Sequence, residues 1–553
     1  MRVRWLTCVA FAALAMSAAA EPPASTVLDE YVNAPDDSYS WQVAATHPGE
    51  QVDTVVIDLV SQHWLTPEQV DRTEWRHWLV VAVPKQTSLD AALLFIGGGS
   101  NAAPGEAEPP GPNERMMQIA AATGTIAAEL RTVPNQPLTF HGDGQPRWED
   151  DLIGYAWAHY LETGDPAWLP RGPMVKSAVR AMDALEEFSA RRDDIANVSR
   201  FVVAGGSKRG WTTWLTGAMD SRVIAIAPIV IDVLSIDASM RHHFAAYGFW
   251  APAIGNYVAH GIMQRLDHPR LAEIYNLVDP HAYLHRLTMP KLVLNAAGDQ
   301  FFLPDSSQFY WDDLRGESYL RYVANADHSM DGSDALHTLT AFHSLMVRGE
   351  KPPQLTWTQT EHGTLTALAT PKPQAARLWQ ATNPRARDFR VETHGREYVA
   401  SPLTPSEDGT YTVPVSPPEQ GWSATFMEFD WDVGAAAPFK LTTEVVVTPD
   451  DLPFSDKPPS LPPSATVTCN ASSPEAAKQL AGDLPDALAE AGFTPPRLDT
   501  KLDGADLYLN WPITARVGEE LQAVRTHLAR QQCDAPALQL ESGPAITLPP
   551  VPR

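Results

Sequence analysis

Phe201-Val202-Val203-Ala204-Gly205-Gly206-Ser207-Lys208-Arg209-Gly210-Trp211 is an apolar run that stops at two glycines and a serine and passes without a spacer into a helix-forming stretch. A buried strand ending this way has the shape of a nucleophile elbow. The serine sits on a sharp turn with its hydroxyl above the sheet edge, and small neighbours keep strand and helix from clashing. The helix that follows aims its first N–H groups at developing negative charge. The common form of this turn is Gly-x-Ser-x-Gly, whereas here the second residue after Ser207 is Arg209 and Gly210 comes one place later. A glycine-rich loop before a helix can also cradle a phosphate, but the spacing fits neither a P-loop nor a dinucleotide fingerprint.

Outward from the elbow, residues 52–328 alternate short β-rich runs with helical ones, the pattern of a mostly parallel sheet covered by helices. Strands are expected at 52–60, 78–83, 92–96, 126–133, 201–204, 223–226, 291–295 and 319–323. A serine nucleophile needs a base and the base needs an orienting acid. Asp299 follows the strand at 291–295 through Ala296-Ala297-Gly298, and His328 follows the last strand through Ala324-Asn325-Ala326-Asp327. Both therefore reach the carboxyl edge where Ser207 stands, and the chain order Ser, Asp, His is that of the α/β-hydrolase fold. Asp305 is the rival acid, although Asp305 with Gln308 also reads as a capping-box start.

The oxyanion donors are expected from the backbone of Lys208 and from the turn Gly97-Gly98-Gly99-Ser100-Asn101, with Gly98 and Gly99 closest to the chemistry. Each such donor is worth about 3 to 4 kcal/mol. The Lys208 and Arg209 side chains place positive charge beside the nucleophile, either for the oxyanion or for a salt bridge to an acid. Glu149-Asp150-Asp151, opening a helix, either seats a substrate amine or simply favours the helix dipole. The 17 histidines show no zinc-type spacing, so neither metal nor other cofactor is expected.

The chain of 553 residues exceeds what one core supports, roughly 250 to 300 residues. The expected architecture is a signal peptide at 1–20, an α/β-hydrolase domain over 21–350 with a helical lid inserted at about 231–289, a β-sandwich over 351–448, a Pro-rich linker at 449–464 and a small α+β module over 465–553. The lid is rich in aromatics, which line a pocket or pack lid to core. Sandwich strands are expected at 354–359, 364–369, 389–392, 410–415, 422–429 and 441–447. In the terminal module, a strand at 466–468, a helix at 474–491, a strand at 506–511 and a helix near 517–530 are expected.

Arg2 and Arg4, the apolar run 5–16 and Ala18-Ala19-Ala20 form the secretory pattern and predict a periplasmic or secreted protein, with no stable membrane insertion after cleavage. Of three cysteines, Cys469 and Cys533 lie beyond that leader and can close one disulfide in an oxidising compartment. A net charge of −26 disfavours nucleic acid as a partner.

The chain resembles the PhoPQ-activated pathogenicity-related protein family. The resemblance is carried by Ser61-Gln62-His63-Trp64-Leu65, Val133-Pro134-Asn135-Gln136-Pro137-Leu138, Trp148-Glu149-Asp150-Asp151, Gly206-Ser207-Lys208-Arg209-Gly210-Trp211, Tyr247-Gly248-Phe249-Trp250-Ala251-Pro252, Phe301-Phe302-Leu303-Pro304-Asp305-Ser306 and Arg387-Asp388-Phe389-Arg390. It implies an exported α/β-hydrolase-like protein associated with virulence regulation and resistance to antimicrobial peptides, with relatives linked to dipeptidyl-peptidase-like activity. The expectation is a serine hydrolase acting on a small peptide or ester substrate, including cationic peptides. A second reading is a non-catalytic protein that sequesters cationic peptides on a hydrolase-like scaffold.

Overall fold

A computed structural model of the chain describes residues 25–456 apart from 88, 104–105 and 361–362, and beyond them 465–470, 472–490, 499–503, 506–511, 534–540 and 546–547. The expected leader, the expected helix near 517–530, Cys533 and the side chain of Cys469 lie outside the described residues.

The centre is a nine-stranded sheet in the order β1-β2-β3-β5-β4-β6-β7-β8-β9. Its strands are β1 (Ser40–His47), β2 (Val52–His63), β3 (Glu74–Pro84), β4 (Ala91–Ile96), β5 (Ile126–Leu130), β6 (Arg200–Gly206), β7 (Val223–Ile229), β8 (Lys291–Ala296) and β9 (Ser318–Val323). β1 to β3 pair antiparallel, β3 pairs antiparallel with β5, and from β5 to β9 every pairing is parallel. The parallel strands read as continuous apolar runs because helices cover both faces. β1 has no such run: it is an edge strand of mostly exposed residues, which is why the sequence pattern passes over it. The order reverses around β4, so β6 lies at the switch point where open α/β sheets take their ligands.

Around the sheet stand α1 (Val27–Asn33), α2 (Glu114–Thr123), α3 (Glu149–Thr163), α4 (Arg171–Ala190) and α5 (Lys208–Met219). The connection from β7 to β8 is the expected helical insertion, carrying α6 (Ile236–Tyr247), α7 (Gly255–Ala259) and α8 (Pro269–Val278). One core lies between the sheet, α4, α5 and this lid, with Trp157, Trp214, Leu271 and Ile274 at 2% exposure or less. A second lies under α2 and α9 (Ala335–Arg348) and runs without a break into the domain that follows, from Ala341 and Phe342 to Tyr411, Phe429 and Trp431.

That domain is made of antiparallel sheets. β11 (Thr364–Thr370) lies between β10 (Gln354–Thr360) and β14 (Thr410–Pro414). β12 (Ala375–Asn383) lies between β13 (Val399–Pro402) and β15 (Trp422–Trp431), and β15 also pairs with β16 (Phe439–Thr442) and β17 (Val446–Thr448). The expected strand at 389–392 is not one. Phe389 is buried, Val391–His394 form the short helix α10, and the Val391 N–H donates to the carbonyl of Gly298 rather than to a ladder. The expected linker is not wholly free of the body either, since the Phe454 N–H donates to the carbonyl of Ala245 on the lid. In the terminal module β18 (Ala465–Asn470) lies between β20 (Asp506–Trp511) and β21 (Asp534–Leu540), with β19 (Asp499–Asp503) and β22 (Ile546–Thr547) at the edges and α11 (Pro474–Glu490) as its helix.

Candidate active site

Ser207 occupies the turn between β6 and α5 with φ 58° and ψ −129°, a left-handed conformation that a residue with a Cβ rarely adopts. Strain of this kind costs on the order of 1–3 kcal/mol and persists only where the surroundings impose it. Here they do. The Ser207 N–H is fixed to the carbonyl of Ile229 at the end of β7 (2.8 Å), and the Trp211 N–H returns to the Ser207 carbonyl (2.9 Å). A Cβ on Gly205 would stand 2.7 Å from the Arg209 carbonyl oxygen, and one on Gly210 would stand 2.8 Å from the Gly205 carbonyl oxygen. The glycine requirement has therefore moved one place along the chain, which explains the departure from Gly-x-Ser-x-Gly.

His328 follows β9, and its Nδ1 lies 2.8 Å from Oδ2 of Asp299. The other carboxylate oxygen of Asp299 accepts from the N–H groups of Phe301 (2.7 Å) and Phe302 (3.4 Å), which fixes the acid's orientation. The imidazole rests against the ring of Phe301 at 4.3 Å between centroids, and its backbone N–H is held by Gln300 Oε1. Its Nε2 makes no hydrogen bond among the described residues. Ser207 and His328 both line a cleft of about 400 Å³ whose wall includes Asn113, Arg115, Glu129 and Asp331. Ser207 also borders a smaller recess of about 50 Å³ under the lid.

The rival acid lies elsewhere. Asp305 is buried between His242 Nε2 (3.1 Å) and the Arg387 guanidinium (2.5 Å), a bridge from lid to β-domain. Burial alone would raise its carboxyl, but Arg387 and His242 overcome this and hold it below the usual range. Its side chain makes no capping bond; the link to Gln308 runs from that amide to the Asp305 carbonyl.

Of the expected oxyanion donors, Lys208 borders the recess with Ser207, while Gly98 and Gly99 border neither cavity. The glycine turn does follow β4, the neighbour of β6. However, a Cβ on Gly98 would stand 2.8 Å from the Arg209 guanidinium and one on Gly99 3.0 Å from the Thr132 hydroxyl, so these glycines serve close packing. The cations beside the serine are committed to acids. The Lys208 ammonium reaches Glu149 (2.8 Å) and Asp150 (3.0 Å), and Arg209 pairs with Glu149 and donates to the Val133 carbonyl (2.6 Å). Burial works against the charge on Glu149, yet Lys208 and Arg209 bring its pKa down to about 2. Asp151 pairs with His260 of the lid (2.6 Å). The acid triplet thus ties elbow and lid together.

The β-domain braces both loops. Val391 N–H donates to the Gly298 carbonyl (3.0 Å). Asn325, at φ 58°, exchanges two hydrogen bonds of 2.9 Å with the backbone of Tyr398. The Tyr398 hydroxyl donates to the Ala297 carbonyl (3.3 Å). Asp299 and His328 are thus positioned from outside the α/β unit.

Sequence reasoning missed Asp232. It lies just past β7, fully buried, and accepts from the hydroxyls of Tyr310 (2.6 Å) and Tyr322 (2.5 Å). An acid inside Ile229-Val230-Ile231-Asp232-Val233-Leu234 was the available signal. Burial pushes its carboxyl up to about 8, against the pull of the two hydroxyls and with help from the charges of Asp299 and Asp305. The folded form therefore holds a proton that the unfolded chain releases above its ordinary value of 3.8, so this group's contribution to stability is complete below that value and is lost as pH rises toward about 8. The slope is at most about 1.4 kcal/mol per pH unit. Denaturation midpoints of Asp232→Asn measured across this range will fall less steeply with pH than those of the wild type; parallel curves would refute the assignment.

A parallel sheet with a reversal at β4, a strained serine at the switch point and an acid-held imidazole on a neighbouring loop define an α/β-hydrolase, a hydrolase-type scaffold. Within that class the chain belongs to the PhoPQ-activated pathogenicity-related protein family, which it matches over residues 28–390. It is 37% identical over 460 residues to the Autocrine proliferation repressor protein A of Dictyostelium discoideum, covering 78% of this chain and 92% of that one. Among solved structures, it is similar to an acetyl xylan esterase from Paenibacillus sp. R4 (18% identity, TM-score 0.40, 59% of this chain and 92% of that chain). It is also similar to a glucuronoyl esterase from Solibacter usitatus (14% identity, TM-score 0.35, 58% and 90%).

Proposed function

We propose that the protein is an exported serine hydrolase that cleaves peptide or ester bonds through an acyl-enzyme, with Ser207 as nucleophile, His328 as base and Asp299 as the acid that orients it. The reading rests chiefly on the 2.8 Å Asp299–His328 pair, whose histidine lines the same cleft as the strained Ser207. The Ser207 proton passes to His328 Nε2 as Oγ attacks the carbonyl carbon. The Lys208 N–H and the first turn of α5 stabilise the oxyanion. The imidazolium, held by Asp299, returns the proton to the leaving oxygen or nitrogen, and water attacking by the same route frees the acid and Ser207.

The net charge of −26 supports positively charged substrates, antimicrobial peptides among them. Export follows from the leader pattern at 1–20. A fluorophosphonate probe added to mature protein should attach to Ser207 and leave His328→Ala unlabelled; attachment at another residue, or none, removes the proposal. The same net charge favours the binding-only reading, and full protection of cells from cationic peptides by Ser207→Ala would select it.

A further inference from the structure

The two cavities that meet at Ser207 differ in chemistry. The cleft of about 400 Å³ carries His328 with Arg115, Glu129 and Asp331 beside apolar Phe95 and Leu339, whereas the recess of about 50 Å³ is walled by Trp157, Trp211 and Phe302 from the body and by Met240, Ile254 and Tyr257 from the lid. Asp150 accepts from the Tyr257 hydroxyl (3.0 Å) and pairs with Lys208, while Arg171, fully buried, donates to the Lys208 carbonyl (2.9 Å) and lies over the Trp211 ring. A cation brought into the recess would lose its water beside the fixed cations Arg171 and Lys208, whereas Arg171 Nε, which has no hydrogen-bond partner among the described residues, is left to meet an acceptor. An apolar group would exchange water for aromatic and aliphatic contact.

Which part of a substrate enters follows from the proton route. His328 must hand its proton to the departing oxygen or nitrogen, so the leaving group lies on the imidazole side, in the cleft. The acyl carbon bonded to Ser207 then extends the other way. At roughly 10–15 Å³ per water-sized group, the recess holds about four such groups. From the proposed hydrolase reading, on which this rests, we infer that the recess is the acyl pocket and that it selects short acyl chains of about two to four carbons, with Met240 and Ile254 of the lid setting the length limit. The larger alcohol or amine half occupies the cleft.

The test measures kcat/KM of the full-length mature protein for p-nitrophenyl acetate, butyrate and hexanoate. One methylene in such a pocket is worth about 10- to 200-fold. The wild type should lose at least about 10-fold between butyrate and hexanoate. Met240→Ala, which opens the recess, should raise the hexanoate-to-butyrate ratio at least about 10-fold, and Ile254→Trp, which fills it, should lower the butyrate-to-acetate ratio by as much. Ratios within one variant are unaffected by the fraction of protein that folds. A flat chain-length profile that neither variant moves would overturn the acyl assignment while leaving the hydrolase reading intact. So would variants that alter discrimination among acetate esters of different alcohols instead. Turnover of no ester, together with no fluorophosphonate labelling of Ser207, would remove both.

Discussion

Ser207→Ala will lower kcat/KM for any ester or peptide the wild type turns over by about 10⁴- to 10⁶-fold, the range found when a serine nucleophile is removed from such a site. The substitution is a clean one. Serine at φ 58° already carries a Cβ, so alanine meets the same backbone cost, and the bonds that impose the turn, from the Ser207 N–H and to its carbonyl, belong to the main chain. Thermal unfolding should therefore stay within about 1 kcal/mol of the wild type while turnover disappears. Activity retained at a tenth of the wild-type rate or more would show that Ser207 is not the attacking group.

Asp299→Asn should be nearly as damaging, about 10⁴-fold in kcat with KM little changed. The amide oxygen can still accept from the N–H groups of Phe301 and Phe302, so the loop keeps its shape. The amide nitrogen, however, then faces His328 Nδ1. An imidazole that accepts there must carry its hydrogen on Nε2, the atom that should take the serine proton. Steady-state kinetics across pH decides this, because a tautomer effect lowers the plateau without removing the fold. The matching Asp305→Asn change would instead loosen the tie between His242 and Arg387 and act on the lid. A larger kcat loss from Asp305→Asn than from Asp299→Asn would exchange their roles.

What the sequence made legible divides along physical lines. Parallel strands buried on both faces announce themselves as apolar runs, and their order brought Ser207, Asp299 and His328 to one edge by topology alone. That Asp299 rather than Asp305 reaches His328 was within reach because strand-to-acid spacing is local. The fate of Gly98 and Gly99 was not, since it depends on where the Arg209 guanidinium folds back, through contacts between residues far apart in the chain. The exposed edge strand β1 and the helical turn α10 escaped for a related reason. One has no apolar run to mark it, and the other owes its shape to a hydrogen bond given to a loop nearly a hundred positions earlier.

That last bond carries a consequence for the organisation of the chain. Residues 387–398 hold the loops of Asp299 and His328 from behind, so the support of the candidate site does not end where the α/β unit ends. A fragment cut at residue 350 would keep Ser207, Asp299 and His328 yet leave two of them on unsupported loops. The bracing residues Val391 and Tyr398 stand just past the family match, which ends at residue 390.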